Sequence, residues 1–306
     1  MRVGVVDCGT NSIRLLIADI EGNNFREVTR QMQVVRLGQG VDETNQFHPD
    51  AISRTFAAVD LYAAEIARRG VEKLRFCATS ATRDALNREV FVDGVKERLG
   101  IEPEVISGDE EARLSFAGAT REFSRADGPF LVVDIGGGST ELVWLDLTNV
   151  EPKNRKNSIM LMQSNQLRRK ELDKLTGVKV VDWISVPFGV TTLKEQYSDV
   201  EEDKAAYAMM SWSFEEYISH FGPSQSDDLK ILPNFQIIGT SGTITTIAAT
   251  KLGLQRYDRQ KVDGYEMTSA EVGLEIDRYL TGGPEWRASN PCIGDSRKDF
   301  IMSGAA

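Results

Sequence analysis

The sequence predicts an α/β fold made of two similar halves, and three observations carry that expectation. Short apolar strands alternate with helix-patterned segments along the chain. A strand, a polar turn and a second strand occur twice, which makes Asp7 and Asp134, 127 residues apart, equivalent positions of one unit. The length, 306 residues, is about twice the ~150 residues of an average domain. A repeat this long implies two halves with a cleft rather than a solenoid, whose periods run ~20 to 50 residues.

Taken in order, residues 3–6, three of them valine, form a short β-branched run that ends in Asp7-Cys8-Gly9-Thr10-Asn11-Ser12, after which residues 13–20 return as an apolar strand, so the pair reads as a hairpin. Residues 49–69 open on a proline and carry Ile52, Phe56, Val59, Ala63 and Ile66 at helical spacing. A strand at 74–78, a helix at 88–99 and a strand at 105–106 follow. The hairpin recurs where residues 131–133 lead into Asp134-Ile135-Gly136-Gly137-Gly138-Ser139-Thr140 and residues 141–147 return. Beyond it lie a strand at 184–186, helices at 203–220 and 269–280, and the pair Ile237-Ile238 running into Gly239-Thr240-Ser241-Gly242-Thr243 and a further helix. Residues 125–129, with a glycine and a proline, are the best domain boundary. Cys8 and Cys77 read as small core residues, Trp183, Trp212 and Trp286 as packing, and His48 as loop.

Thirty-six basic and 46 acidic residues give a net charge of -10, with 41% hydrophobic and 27% charged residues, a globular rather than a disordered composition. The acidic balance argues against a nucleic-acid partner gripped over the whole surface. Residues 151–180 run the other way, with eight basic side chains against three acids, and read either as a solvated insertion or as a guide for an anionic substrate. No apolar run approaches the ~18 residues of a spanning helix, and Asp7, Asn11 and Arg14 interrupt the first hydrophobic stretch as no signal peptide would, so a cytoplasmic protein without a membrane partner is expected. Three cysteines and two histidines, all scattered, exclude a disulfide framework and a Cys/His zinc site; any metal must rest on oxygen.

Each polar turn offers backbone N–H groups where glycine lets a ligand approach, and Thr10, Ser12, Ser139 and Thr140 add hydroxyls. Three such turns, each directly after an apolar strand, suit phosphate oxygens, the third also through a helix N-terminus. Asp7 and Asp134 stand at strand ends, where a carboxylate either caps its own turn or holds Mg2+ beside a phosphate. Glu141 follows Asp134 on the returning strand and can share that cation. Ser107-Gly108-Asp109-Glu110-Glu111-Ala112 opens a helix after a strand; its acids complement the helix dipole, or Glu111 takes a proton from an attacking water. Arg83, again after a strand, is a surface helix arginine or a phosphate neutraliser.

Together these segments resemble the exopolyphosphatase and guanosine pentaphosphate phosphohydrolase family, a branch of the actin-like ATPase superfamily. Asp7, Gly9, Thr10, Asn11 and Ser12 match its first phosphate motif, and the run from Ser107 to Leu114 is similar to its catalytic stretch, whose second glutamate is the general base. Val133 to Glu141 resembles its second phosphate motif, Arg83 its threonine-x-x-arginine position, Gly239 to Thr243 its glycine-x-serine-glycine-threonine loop, and Gly294, Arg297, Asp299, Ile301 and Gly304 its final helix. The stretch 151–180 is longer than the family's usual connection, and the resemblance is to the family's short form, so a helical C-terminal region like that of long members is not expected.

The resemblance implies two actin-like, ribonuclease H-like domains, residues 1–125 and 126–293, with the helix at about 294–306 packing back on the first and the active site in the cleft between them. It implies an exopolyphosphatase that releases orthophosphate from the end of inorganic polyphosphate, with guanosine pentaphosphate as the alternative substrate and a low-turnover binding regulator as the non-enzymatic one. A sugar kinase and an actin-like filament subunit are disfavoured, the first because the glutamate-bearing helix favours water as acceptor. Glu111, Asp134 and Glu141 are the catalytic expectation. Asp134, Glu141 and Asp7 are expected to hold Mg2+ or Mn2+. Phosphate binding falls to Gly9, Thr10, Asn11, Ser12, Arg83, Gly136, Gly137, Gly138, Ser139, Thr140, Gly239, Ser241, Gly242 and Thr243. A homodimer is expected from the family.

Overall fold

The computed structural model describes residues 1–22, 24–119, 130–155, 158, 177–200, 202–222, 235–295 and 297–306. It divides into two compact units, Met1–Gly108 and Asp109–Ala306.

The first unit is built on a five-stranded sheet. β1 (Arg2–Cys8) pairs antiparallel with β2 (Ser12–Glu21), β2 antiparallel with β3 (Asn24–Val34), and β1 parallel with β4 (Lys73–Ala78), which in turn pairs parallel with β5 (Glu104–Val105). The strand order is 3-2-1-4-5, and with the helices below it makes an α/β unit, as expected. The helix-patterned segments become α2 (Pro49–Arg69) and α4 (Arg88–Leu99), after the short α1 (Val41–Thr44) and around the short α3 (Ser80–Asp84). His48 caps α2, its Nδ1 accepting from the Asp50 N–H at 3.2 Å, and Pro49 fits the first turn, where no N–H is needed. Ile52, Val59 and Tyr62 of α2 share one core with Val6, Ile13 and Leu15 of the hairpin and with Phe76. Cys8 and Cys77 are buried as expected.

The second unit repeats the arrangement. β6 (Phe130–Ile135), β7 (Thr140–Asp146), β8 (Lys179–Val186) and β9 (Gln236–Thr240) form a sheet of order 8-7-6-9, equivalent strand for strand to 3-2-1-4. The copy extends to an irregularity: the β2–β3 register shifts between Ile17 and Ala18, and the β7–β8 register shifts between Trp144 and Leu145, the same 127-residue offset. Around this sheet lie α5 (Gly108–Ala119), α6 (Val190–Gln196), α7 (Asp203–Ile218), α8 (Ser241–Lys251), α9 (Arg259–Val262), α10 (Ser269–Ser289) and α11 (Phe300–Ala305).

The division falls at the first residue of α5, whose Ala112 and Phe116 pack on Val132, Val143 and Leu145 of the second sheet. The expected boundary at 125–129 lies outside the described residues. The closing helix α11 is part of the second unit, where Ile301 and Met302 share a core with Ile247, Tyr279 and Ile293. Trp183 and Trp286 pack as expected, whereas Trp212 is 61% exposed. Most of the basic stretch 151–180 lies outside the described residues. Among those described, no helix is long and apolar enough to cross a membrane.

Candidate active site

The two hairpin tips are the same structure. The Gly9 N–H donates to the Ser12 carbonyl at 3.0 Å, and the Gly136 N–H to the Ser139 carbonyl at 2.9 Å. The next carbonyl is also engaged in the same way, that of Thr10 by the Gly38 N–H at 2.9 Å and that of Gly137 by the Thr191 N–H at 2.8 Å. With their carbonyls tied down by the chain that follows the third strand, the tips offer N–H groups to a ligand, which suits an anion. Gly38, Gly189 and Thr191 were not read from the sequence. Their signal was position, since each follows the third strand of a repeat within a few residues. At Gly189 the backbone is so close to the second tip that a Cβ would lie 2.5 Å from the Gly137 carbonyl carbon.

In the first unit, Asp7 faces Arg14 across the hairpin, and their side chains meet at 3.0 Å. Asp7, expected to share a cation, is therefore already paired with a guanidinium. Arg83 ends α3 and donates from Nη1 to the Ile106 carbonyl at 2.9 Å. Thr10 is buried and Asn11 half-buried; Thr10 Oγ1 and Asn11 Oδ1 are enclosed without a hydrogen-bond partner among the described residues.

In the second unit the register partner of Asp134 is Glu141, so the same hairpin position sets a carboxylate against a carboxylate. Glu141 is 2% exposed, and its Oε1 accepts from Ser185 Oγ at 2.9 Å. Burial first, then the charge of Glu111, push its carboxyl up to about 8; Asp134 adds to the rise, while hydrogen bonds from Ser139 and Ser185 oppose it. Glu111 thus stands within electrostatic reach of Glu141. One turn further along α5, the Ser115 hydroxyl donates to Asp134 Oδ2. Glu110 is held instead by Arg113 at 2.6 Å, which separates the two neighbouring glutamates by role. Ser115 and Ser185 were also missed. Ser115 was visible as the i+4 neighbour of Glu111, whereas Ser185 depends on strand register.

Such a cluster fits a hard cation. A buried carboxyl whose pKa is raised by burial and neighbouring acids is relieved by positive charge, and Mg2+-type ions take one or two carboxylates together with waters and substrate phosphates. Among the described residues no three His, Cys, Asp or Glu side chains are gathered into a complete metal site. Asp134 and Glu141 are the residues that could hold such an ion, with waters and phosphate oxygens as its further ligands.

The third loop leaves β9 through Thr240 and enters α8. Ser241 has φ 78°, a left-handed conformation that costs a non-glycine residue energy. The carbonyls of Ser241 and Gly242 accept from the Thr245 and Thr246 hydroxyls at 2.9 and 2.7 Å, and the Gly242 carbonyl also from Arg297 Nη2 at 2.9 Å. Thr243 is buried. The loop thus repeats the tactic of the tips, engaging carbonyls and leaving the positive end of an 11-residue helix for an anion. A sequence echo accompanies it: Thr79-Ser80-Ala81-Thr82 opens α3 as Thr240-Ser241-Gly242-Thr243 opens α8.

Comparison with known proteins identifies relatives of this chain. The model of the Ppx/GppA phosphatase family matches residues 16–306. The chain is 50% identical over 319 residues to Exopolyphosphatase 2 of Mycobacterium tuberculosis, covering 99% of this chain and 88% of that one. Among solved structures it is similar to an exopolyphosphatase-like protein, with 35% identity and a TM-score of 0.79 over 99% of this chain and 85% of that one. It is also similar to the Aquifex aeolicus member of the Ppx/GppA family, with 28% identity and a TM-score of 0.72 over 100% and 87% of the two chains.

Proposed function

Because the chain belongs to the Ppx/GppA phosphatase family, we propose that it is an exopolyphosphatase, hydrolysing the terminal phosphoanhydride of inorganic polyphosphate and releasing orthophosphate. The observation that carries this reading is the convergence of Glu111 on Glu141 and Asp134 beside a glycine turn. Phosphoryl transfer to water needs positioning, charge neutralisation and a base; here Glu111 is the base, the N–H groups of the glycine turn position the phosphate, and a cation on Asp134 and Glu141 would neutralise its charge.

In this reading the Glu111 carboxylate takes a proton from water as the water oxygen bonds to the terminal phosphorus. The bridging P–O bond breaks, and the chain leaves one unit shorter. The N–H groups of residues 10–12, 137–139 and 241–243, the hydroxyls of Thr10, Ser12 and Ser241, the Asn11 amide and Arg83 would bind phosphate oxygens and steady the charge that shifts between them. Asp134 and Glu141 would hold Mg2+ or Mn2+, which when bound sets positive charge against the phosphoryl oxygens. Asp7, paired with Arg14, is not needed as a direct ligand. A homodimer and a cytoplasmic location complete the proposal, and light scattering in solution tests the first.

The test is Glu111→Gln. Orthophosphate release from polyphosphate with Mg2+ should fall by about 100-fold or more, while tripolyphosphate binding measured by calorimetry stays close to wild type. Unchanged turnover would remove Glu111 from its role. Running guanosine pentaphosphate and a phosphate monoester alongside identifies the preferred substrate, and no release from any of them would favour a binding regulator.

A further inference from the structure

The closing helix α11 touches the second unit at the two places where chain segments grip the glycine turns. Ser303 Oγ donates to the Val190 carbonyl at 2.8 Å, besides a bond to the Phe300 carbonyl at 3.1 Å within its own helix. Val190 begins α6, and its N–H donates to the Gly136 carbonyl at 3.0 Å. Two hydrogen bonds therefore lead from α11 to the first glycine of the tip. The next residue, Gly304, lies against the other loop: a Cβ there would come within 2.1 Å of Thr243 Oγ1 and 2.7 Å of Val190 Cγ1. Position 304 is thus wedged between the start of α6 and the start of α8, where no side chain fits. Ile301 and Met302 fix the helix in the core.

We propose that α11 is a brace that sets the Gly136–Gly137 turn and the Gly242–Thr243 loop at a fixed separation, with Ser303 and Gly304 as positioning residues for the hydrolysis. A helix present only to fill the core would need its apolar face alone. Here a hydroxyl and a missing side chain meet the N-terminal turns of two helices, both of which carry loops assigned to phosphate. The proposal rests on the exopolyphosphatase reading for its turnover readout and stands apart from it through binding.

The test uses the full chain carrying Ser303→Ala, Ser303→Thr or Gly304→Ala, with Tyr279→Phe as a control that loses a buried hydroxyl contact to Thr250 away from the loops. Each is assayed at a temperature where its circular dichroism is that of the folded state, for kcat, KM and tripolyphosphate affinity. Gly304→Ala should lower kcat by about 100-fold, the scale set by a misplacement of about 1 Å. Ser303→Ala should lower it by about 5-fold, the loss of one hydrogen bond, and Ser303→Thr should restore it. Both damaging variants should weaken tripolyphosphate binding, whereas Tyr279→Phe should lower the melting temperature and leave kcat within about twofold. Wild-type kcat and affinity in Gly304→Ala, or an equal loss in Ser303→Thr and Ser303→Ala, would overturn the brace. If Gly304→Ala does not fold, the Ser303 pair decides. If the wild type releases no orthophosphate, the functional reading falls, and tripolyphosphate affinity alone decides the brace.

Discussion

Arg14 and Glu141 occupy the same place in the two copies of the hairpin, and the exchange of charge between them separates the roles of the halves. The first copy neutralises its aspartate internally; the second accumulates acid that needs a proton or a cation. Glu141 titrates near its ordinary 4.5 when unfolded and at about 8 when folded, so between those values the folded protein keeps a proton the unfolded chain has lost. With chelator present, stability should fall as pH rises from about 4.5 to about 8. Glu141→Gln should flatten that slope and raise the melting temperature at pH 8 by about 3 °C. Adding Mg2+ at pH 8 should stabilise the wild type more than the variant. Thermal melts at several pH values check this; a parallel decline in Glu141→Gln would contradict it. The offset of 127 residues sets Arg14 opposite Asp7 as Glu141 is set opposite Asp134, so the repeat in the sequence carries this pairing. Ser185 was not readable, because its contact with Glu141 is set by the β7–β8 register, across a stretch of sequence whose length hides it.

At the scale of elements, the strands and helices with a buried face were legible, and β3 was not. β3 runs Asn-Phe-Arg-Glu-Val-Thr-Arg-Gln-Met-Gln-Val along a sheet edge, and most of its side chains are exposed, so no apolar run announces it. The helix α5 was legible, but its membership of the second unit was not, because that follows from which sheet receives Ala112 and Phe116. Gly189→Ala places a methyl against the Gly137 backbone and should cut orthophosphate release by about 100-fold. Gly273→Ala, in exposed α10 with open space around it, should leave activity unchanged and add about 0.5–1 kcal/mol of stability. Comparing the pair by activity and urea unfolding separates loop geometry from helix propensity. Arg287 is fully buried, bonded to Asp203 at 2.9 Å and to the carbonyls of Tyr279 and Lys298 at 3.0 and 2.7 Å, and so ties α7, α10 and the segment before α11 together. Arg287→Ala should destabilise the second unit by about 3 kcal/mol or more, measured by urea unfolding.

Over the whole molecule, duplication was the most informative property of the sequence. It foretold two α/β units, and the copy extends through four strands, two tip hydrogen bonds and a bulge at the same offset. The division itself was less legible, because a helix lying between two sheets carries no mark of the one it will pack on. The acidic net charge of -10 is compatible with a polyanionic substrate, since the groups assigned to phosphate are local N–H dipoles, hydroxyls, Arg83 and a cation rather than a basic surface. In the proposed reaction water attacks the last phosphorus of the chain. Hydrolysis of polyphosphate in 18O-labelled water with Mg2+, followed by mass spectrometry of the products, tests this directly. The predicted result is one 18O atom in each released orthophosphate and none in the shortened polyphosphate; label at the new end of the remaining chain, or fragments of intermediate length from the first turnover, would contradict it.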